Sequence, residues 1–112
     1  MGPEHRLAVY GSLAPGKSNH GQLAALSGSW TAGVLRGTLV PKGWGTAQGF
    51  PGLRLHADGA DVPVQVFTSA DLPAHWDRLD RFEGSDYARV EVEVMTAEGP
   101  LAAQVYEGKP RP

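Results

Sequence analysis

A small mixed, mainly antiparallel β-barrel with two short flanking helices is the α+β fold this sequence predicts, and three observations carry the prediction. Val62, Val64 and Val66 alternate with polar residues or proline, as do Val90, Val92 and Val94, and Leu101, Ala103 and Val105 alternate with Ala102 and Gln104, the period of half-buried strands. The 15 glycines and 9 prolines among 112 residues interrupt the chain too often for long helices. Only two segments combine helical spacing with a start signal.

In chain order, Leu7 to Tyr10 reads as a first strand that runs into the glycine turn Gly11 to Gly16. Asn19-His20-Gly21-Gln22 then resembles a capping box, which with Leu23 and Leu26 predicts a helix over residues 19–27, closed by Gly28. Val34–Val40 and Leu53–His56 follow as strands, separated by a loop from Lys42 to Gly52 that carries Trp44 and Phe50. The proline at position 63 puts the next strand at a sheet edge or a bulge. A second helix over residues 71–83 tolerates Pro73 in its first turn, aligns Leu72, Trp76 and Leu79 on one stripe and stops at Gly84. The two final runs meet at Ala97-Glu98-Gly99-Pro100 as an antiparallel hairpin.

No repeat or linker divides the chain, and its length suits one domain over residues 1–112. A net charge of -2 and scattered Lys and Arg give no field for nucleic acid. With no cysteine there is neither a disulfide framework nor a thiolate metal site. No signal-like or membrane-length apolar segment occurs, so a soluble cytoplasmic protein without a membrane partner is expected.

Gly11 to Ser18 matches the phosphate-loop pattern G-x-x-x-x-G-K-[ST], and its backbone N–H groups could cradle an anion. A nucleotide site of that type needs a parallel sheet and a second apolar strand ending in Asp, and neither is present. A plain structural turn with Lys17 in solvent is the other reading. Glu83 lies four residues after Leu79 and seven after Trp76, so a helix reaching Gly84 carries its carboxylate on the apolar face. Burial and the negative end of the helix then raise its pKa toward neutrality, as proton transfer requires. A helix that ended earlier would leave Glu83 in a solvated turn. His5, His20, His56 and His75 are too scattered for a zinc site, and Ser12 lacks the G-x-S-x-G turn of a hydrolase. What remains is acid–base chemistry on a small anionic substrate.

From Leu7 to about Tyr106 the chain resembles the γ-glutamylcyclotransferase-like, or AIG2-like, family. The resemblance rests on Tyr10-Gly11-Ser12-Leu13 with Pro15-Gly16 and Asn19-His20, then Gly37-Thr38-Leu39 and Pro51-Gly52-Leu53, and above all on Leu79-Asp80-Arg81-Phe82-Glu83-Gly84 followed by Tyr87-Ala88-Arg89-Val90. It implies a substrate site lined by Tyr10, Gly11, Ser12 and Leu13, with Glu83 as catalytic acid/base and Tyr87 and Tyr106 as lining or supporting residues. Ala14, where many members have Arg, and Val40-Pro41, in place of a commoner Tyr-Asp, depart from the family at the outer substrate contacts.

The implied reaction is cofactor-independent cyclisation of a γ-glutamyl group to 5-oxoproline with release of an amine, by a γ-glutamylcyclotransferase or a γ-glutamylamine cyclotransferase. The alternative is a non-catalytic binding module for an amino-acid-like ligand on the same barrel. The sequence leaves the leaving amine and the oligomeric state open. Because the phosphate-loop match stands in the wrong context, ATP with Mg²⁺ is expected not to bind, and Lys17→Ala to leave activity nearly unchanged. Calorimetric titration that found micromolar ATP affinity, lost in Lys17→Ala, would restore the nucleotide reading.

Overall fold

The structure, a computed structural model, describes residues 2–10, 21–40, 52–84 and 87–108. Its strands are β1 (Arg6–Val9), β2 (Ser29–Val40), β3 (Gly52–Leu55), β4 (Ala60–Thr68), β5 (Tyr87–Thr96) and β6 (Gly99–Gly108). Its helices are α1 (Gly21–Ala24) and α2 (Trp76–Glu83), with 3-10 turns at Pro3–His5 and Leu72–His75. The strand order is β3-β2-β4-β1-β6-β5, and a further pairing of Val34 in β2 with Met95 in β5 closes five strands into a barrel, leaving β3 outside the ring. Leu7 opposite Gln104 and Ala8 opposite Val105 make β1 and β6 a parallel pair, while the other pairings are antiparallel.

Strand alternation builds two cores, one on each side of the barrel wall. Ala8, Val62, Val64, Val66, Val94, Ala103 and Val105 fill the interior with Leu35 and Leu53, and the half-buried Tyr10 packs against them. From the same strands Leu7, Val9, Phe67 and Tyr106 face outward, where Leu23, Leu72, Trp76 and Leu79 cover them. Leu7, Ala8 and Val9 are consequently all buried, so β1 has no solvent face.

The expected elements occur, with informative differences at their ends. The second helix is divided: Pro73 has no N–H to give and sits in a 3-10 turn, His75 at φ -114° and ψ -2° forms the joint, and the α ladder starts only at Trp76. It ends as expected at Gly84, whose φ of 85° suits glycine and whose N–H bonds to the Asp80 carbonyl at 3.1 Å. The first helix stops at Ala24, ahead of Gly28, because the Leu26 N–H bonds back to the Leu23 carbonyl at 3.0 Å in a tighter turn. Pro63 lies in a strand flanked by two others, yet β1 pairs only as far as Gln65, so β4 is locally an edge at the proline. β2 begins at Ser29, well before Val34, because its first residues pair along β4 from Thr68 back to Val64.

The link between β3 and β4 passes from one edge of β2 to the other, since Gly37 pairs with Leu55 on one side and Ala60 on the other. A Cβ on Gly59 would come within 2.6 Å of the Gly37 backbone, so the crossing requires glycine there. Among the described residues no helix is long and apolar enough to cross a membrane.

α2 is seated by Leu79, which is fully buried, by Trp76, whose Nε1 donates to the Glu4 carbonyl at 2.9 Å, and by Arg78, whose guanidinium donates to the Gln22 carbonyl at 2.9 Å and side chain at 3.0 Å. Leu79→Ala is expected to destabilise the protein by about 2–5 kcal/mol. Urea denaturation followed by tryptophan fluorescence measures this, and a loss under about 1 kcal/mol would mean that the helix is not anchored through this side chain.

Candidate active site

Glu83 is the last residue of α2. The stripe that buries Trp76 and Leu79 continues to it, and the carboxyl is half-buried instead of lying in an exposed turn. Desolvation raises its pKa from 4.5 to about 7. No cation among the described residues forms an ion pair with it.

Three tyrosines gather at this end of the barrel. Tyr10 projects inward from the end of β1; its hydroxyl donates to the Tyr106 carbonyl at 2.5 Å and accepts the Leu53 N–H at 3.1 Å, so it bridges β6 to the outer strand β3. Burial is the main cause that pushes its pKa up; the Leu53 N–H partly offsets this, and the fields of Tyr87, Glu83 and Glu107 add to it. Tyr106 is buried on the outer face of β6 and donates its hydroxyl to Asp80 Oδ1 at 2.7 Å. Its pKa too is raised, first by burial and then by Asp80, with a smaller contribution from the Glu83 field. Tyr87 is half-buried at the start of β5 and packs against the outer core. The structure therefore brings Tyr10, Tyr87 and Tyr106 together with Glu83, from four different elements.

Asp80 precedes Glu83 by one helical turn and was not singled out from the sequence. Burial raises its pKa, but hydrogen bonds from Arg89 and Tyr106 more than offset that and hold it below the usual carboxylate range. Arg89 Nε reaches Asp80 Oδ1 at 2.9 Å and its Nη2 reaches Oδ2 at 3.3 Å, a two-pronged contact across the helix-to-strand connection. The same guanidinium donates to Gln104 Oε1 at 3.3 Å and stacks over Trp76, 4.3 Å from the ring centroid. Period arithmetic could have found the pair. Asp80 stands at i−3 from Glu83, and Arg89 stands two residues after Tyr87 on the same strand face.

Gly11, Ser12, Leu13 and Lys17 lie outside the described residues, as do Asn19, His20, Trp44 and Phe50. Among the described residues no group of three or more His, Asp or Glu is placed to hold a metal ion. A shallow groove of about 300 Å³ opens where β3 and β5 part company along β2, between Leu55 and Val92, and none of the Glu83 cluster lines it.

A raised carboxyl pKa has a defined effect on stability. Below pH 4.5 Glu83 is protonated in both folded and unfolded chains; between 4.5 and about 7 only the folded chain holds the proton, so stability falls as pH rises through that window. Above pH 7 the anion destabilises the fold by up to about 3 kcal/mol. Glu83→Gln should therefore be more stable than the wild type at pH 8, by up to that amount, with the gap closing on acidification to pH 4.5. Urea midpoints at a series of pH values measure it, and a gap independent of pH would contradict the burial.

The family model described as "Gamma-glutamyl cyclotransferase, AIG2-like" matches residues 7–112. No curated protein matches the chain in sequence. Among solved structures, an uncharacterised protein from Pyrococcus horikoshii is 26% identical with a TM-score of 0.65, over 95% of this chain and 80% of its own. An AIG2-like protein from Mus musculus is 22% identical with a TM-score of 0.76, over 96% of this chain and 79% of its own. A structure titled gamma-glutamyl cyclotransferase is 21% identical with a TM-score of 0.76, over 95% of this chain and 67% of its own. These last two likenesses establish the shared barrel, and the family match spans the strands and the helix that carry the cluster. The chain belongs to the γ-glutamyl cyclotransferase, AIG2-like family.

Proposed function

We propose that this protein is a cofactor-independent cyclotransferase that converts a γ-glutamyl group to 5-oxoproline, with Glu83 as general acid and base. The observation that carries this reading is the Glu83 carboxyl itself, half-buried at a helix end with a pKa near 7. A group that titrates near neutrality can both accept and return a proton. Tyr10 and Tyr106 are pushed well above neutrality and already donate their hydroxyl protons elsewhere, so neither competes for that role.

In this reading the substrate's α-ammonium loses a proton to Glu83. The free amine attacks its own γ-carbonyl carbon, forming the ring C–N bond and a tetrahedral oxyanion. Collapse breaks the original amide bond as Glu83 returns its proton to the leaving nitrogen, and the ring nitrogen, left with an extra proton by the attack, passes it through the freed Glu83 carboxylate to the released amine, giving 5-oxoproline and the amine or amino acid as its ammonium form. Because nucleophile and electrophile share one molecule, the protein supplies a folded pose and a proton carrier. Backbone N–H groups of Gly11, Ser12 and Leu13 are assigned to the α-carboxylate or the oxyanion. Tyr10, Tyr87 and Tyr106 are assigned to the wall that keeps water from the carboxyl. The substrate is a small γ-glutamyl amino acid, peptide or amine, and the protein acts in the cytoplasm.

Incubation with γ-glutamyl amino acids, γ-glutamyl peptides and γ-glutamyl-ε-lysine, with 5-oxoproline assayed, tests the proposal. At least one compound should turn over, and Glu83→Gln should lower that rate by about a hundredfold to ten-thousandfold while ligand binding persists. Near wild-type turnover by Glu83→Gln would overturn it, and binding without product from any compound would make the barrel a ligand-binding module.

A further inference from the structure

We propose that the free edge of β5, with the groove beside it, is a strand-addition site for an extended peptide segment in which basic and aliphatic residues alternate. The site is separate from the Glu83 cluster and does not rest on the chemistry proposed there.

Strand pairing carries it. β5 meets β2 only where Met95 pairs with Val34. Beyond that point β3 takes the same edge of β2, with the His56 N–H bonded to the Arg36 carbonyl at 3.3 Å and Gly37 opposite Leu55. β5 is thereby displaced, and over residues 88–94 its backbone pairs with β6 alone among the described residues. The outer edge of β3 is treated differently. Its Leu53 and Leu55 N–H groups, which point away from β2, are capped by the Tyr10 hydroxyl at 3.1 Å and by Glu107 at 2.8 Å. One edge is closed by side chains and the other is left open.

The chemistry of the occupant follows from the two faces of β5. On the inner face Val90 and Val92 are only half-buried against the interior core, and the groove of about 300 Å³ continues from them to Leu35 and Leu55. On the outer face Glu91 and Glu93 are exposed, stand opposite Gln104 and Ala102 of β6 and form no ion pair among the described residues. The other polar side chains of the groove are engaged, Arg36 with Asp61 at 3.3 Å and His56 with Thr38 at 2.8 Å. The uncompensated charge along this edge is therefore negative. A strand added here sets its residues directly opposite those of β5, so aliphatic side chains meet Val90 and Val92 and cationic ones meet Glu91 and Glu93. A second copy of β5 does not suit the edge, because antiparallel pairing about Val92 sets glutamate against glutamate.

The probe is a fluorescein-labelled seven-residue peptide of alternating lysine and valine, blocked at both ends, with fluorescence anisotropy as the readout. The wild type should bind it, and reversal of both charges by Glu91→Lys with Glu93→Lys should weaken binding at least about tenfold. The same peptide with glutamate in place of lysine should bind the charge-reversed protein and not the wild type. N-methylation of the peptide amides along one edge, but not along the other, should abolish binding, as a backbone ladder requires. In the complex, hydrogen exchange at alternate amides of residues 88–94 should slow. The peptide series is read on the wild type, so it decides the matter even where the charge-reversed protein does not fold. No binding up to about 1 mM peptide, equal binding of the lysine and glutamate peptides, indifference to N-methylation, or unchanged exchange along β5 would overturn the proposal.

Discussion

Burial of β1 on both faces is the constraint on which the rest of the structure depends. A strand of four residues places Ala8 in the barrel interior and Leu7 and Val9 beneath the helices, so one short segment joins the two cores. Neither core is complete without it, and each is small. Since a buried strand must pair on both edges, β1 also dictates its neighbours: β4 runs antiparallel on one side and β6 parallel on the other. The chain leaves β1 at Tyr10, where the cluster of Tyr10, Tyr87, Tyr106 and Glu83 begins.

Helix placement follows from the outer core. Leu7, Val9 and Tyr106 offer an apolar patch on the convex side of the barrel, and α2 covers it with Trp76 and Leu79. A helix so anchored delivers its last residue to the end of β1. The helical period that buries Leu79 buries Glu83 one turn later, and the positive φ of Gly84 turns the chain away directly afterwards. Glu83 is thus half-buried as a result of packing. Its carboxyl is held by the same geometry that seats the helix.

Much of this was legible because it depends on local period. The alternation of Val62, Val64 and Val66 and the stripe of Leu72, Trp76 and Leu79 assign faces without any knowledge of neighbours, and so place Glu83 on the buried side. The break in that stripe at His75 was not legible, because a 3-10 turn and an α turn bury Leu72 equally well. Nor was the extension of β2 back to Ser29, since Thr31 to Gly33 owe their strand conformation to β4 and not to their own propensity. The site divides in the same way. Glu83 could be found by counting along one helix, whereas Tyr10 as a bridge between β6 and β3 requires partners 96 and 43 residues away that no local pattern reveals. Asp80 and Arg89 fall between these cases, nine residues apart and joined only once the chain has reversed direction.

The parallel pairing of β1 with β6 also governs the order of assembly. Its partners lie at opposite ends of the chain, and the Tyr10 to Tyr106 hydrogen bond spans 96 residues. Contacts of such separation form late in folding, because a long loop must close before they contribute. The hairpin of β5 and β6 can form locally, but the barrel wall closes only when β6 docks beside β1. Tyr10, Glu83 and Tyr106 become neighbours in that same step. A nascent chain still lacking β6 therefore has neither a closed fold nor an assembled cluster, and the two arrive together.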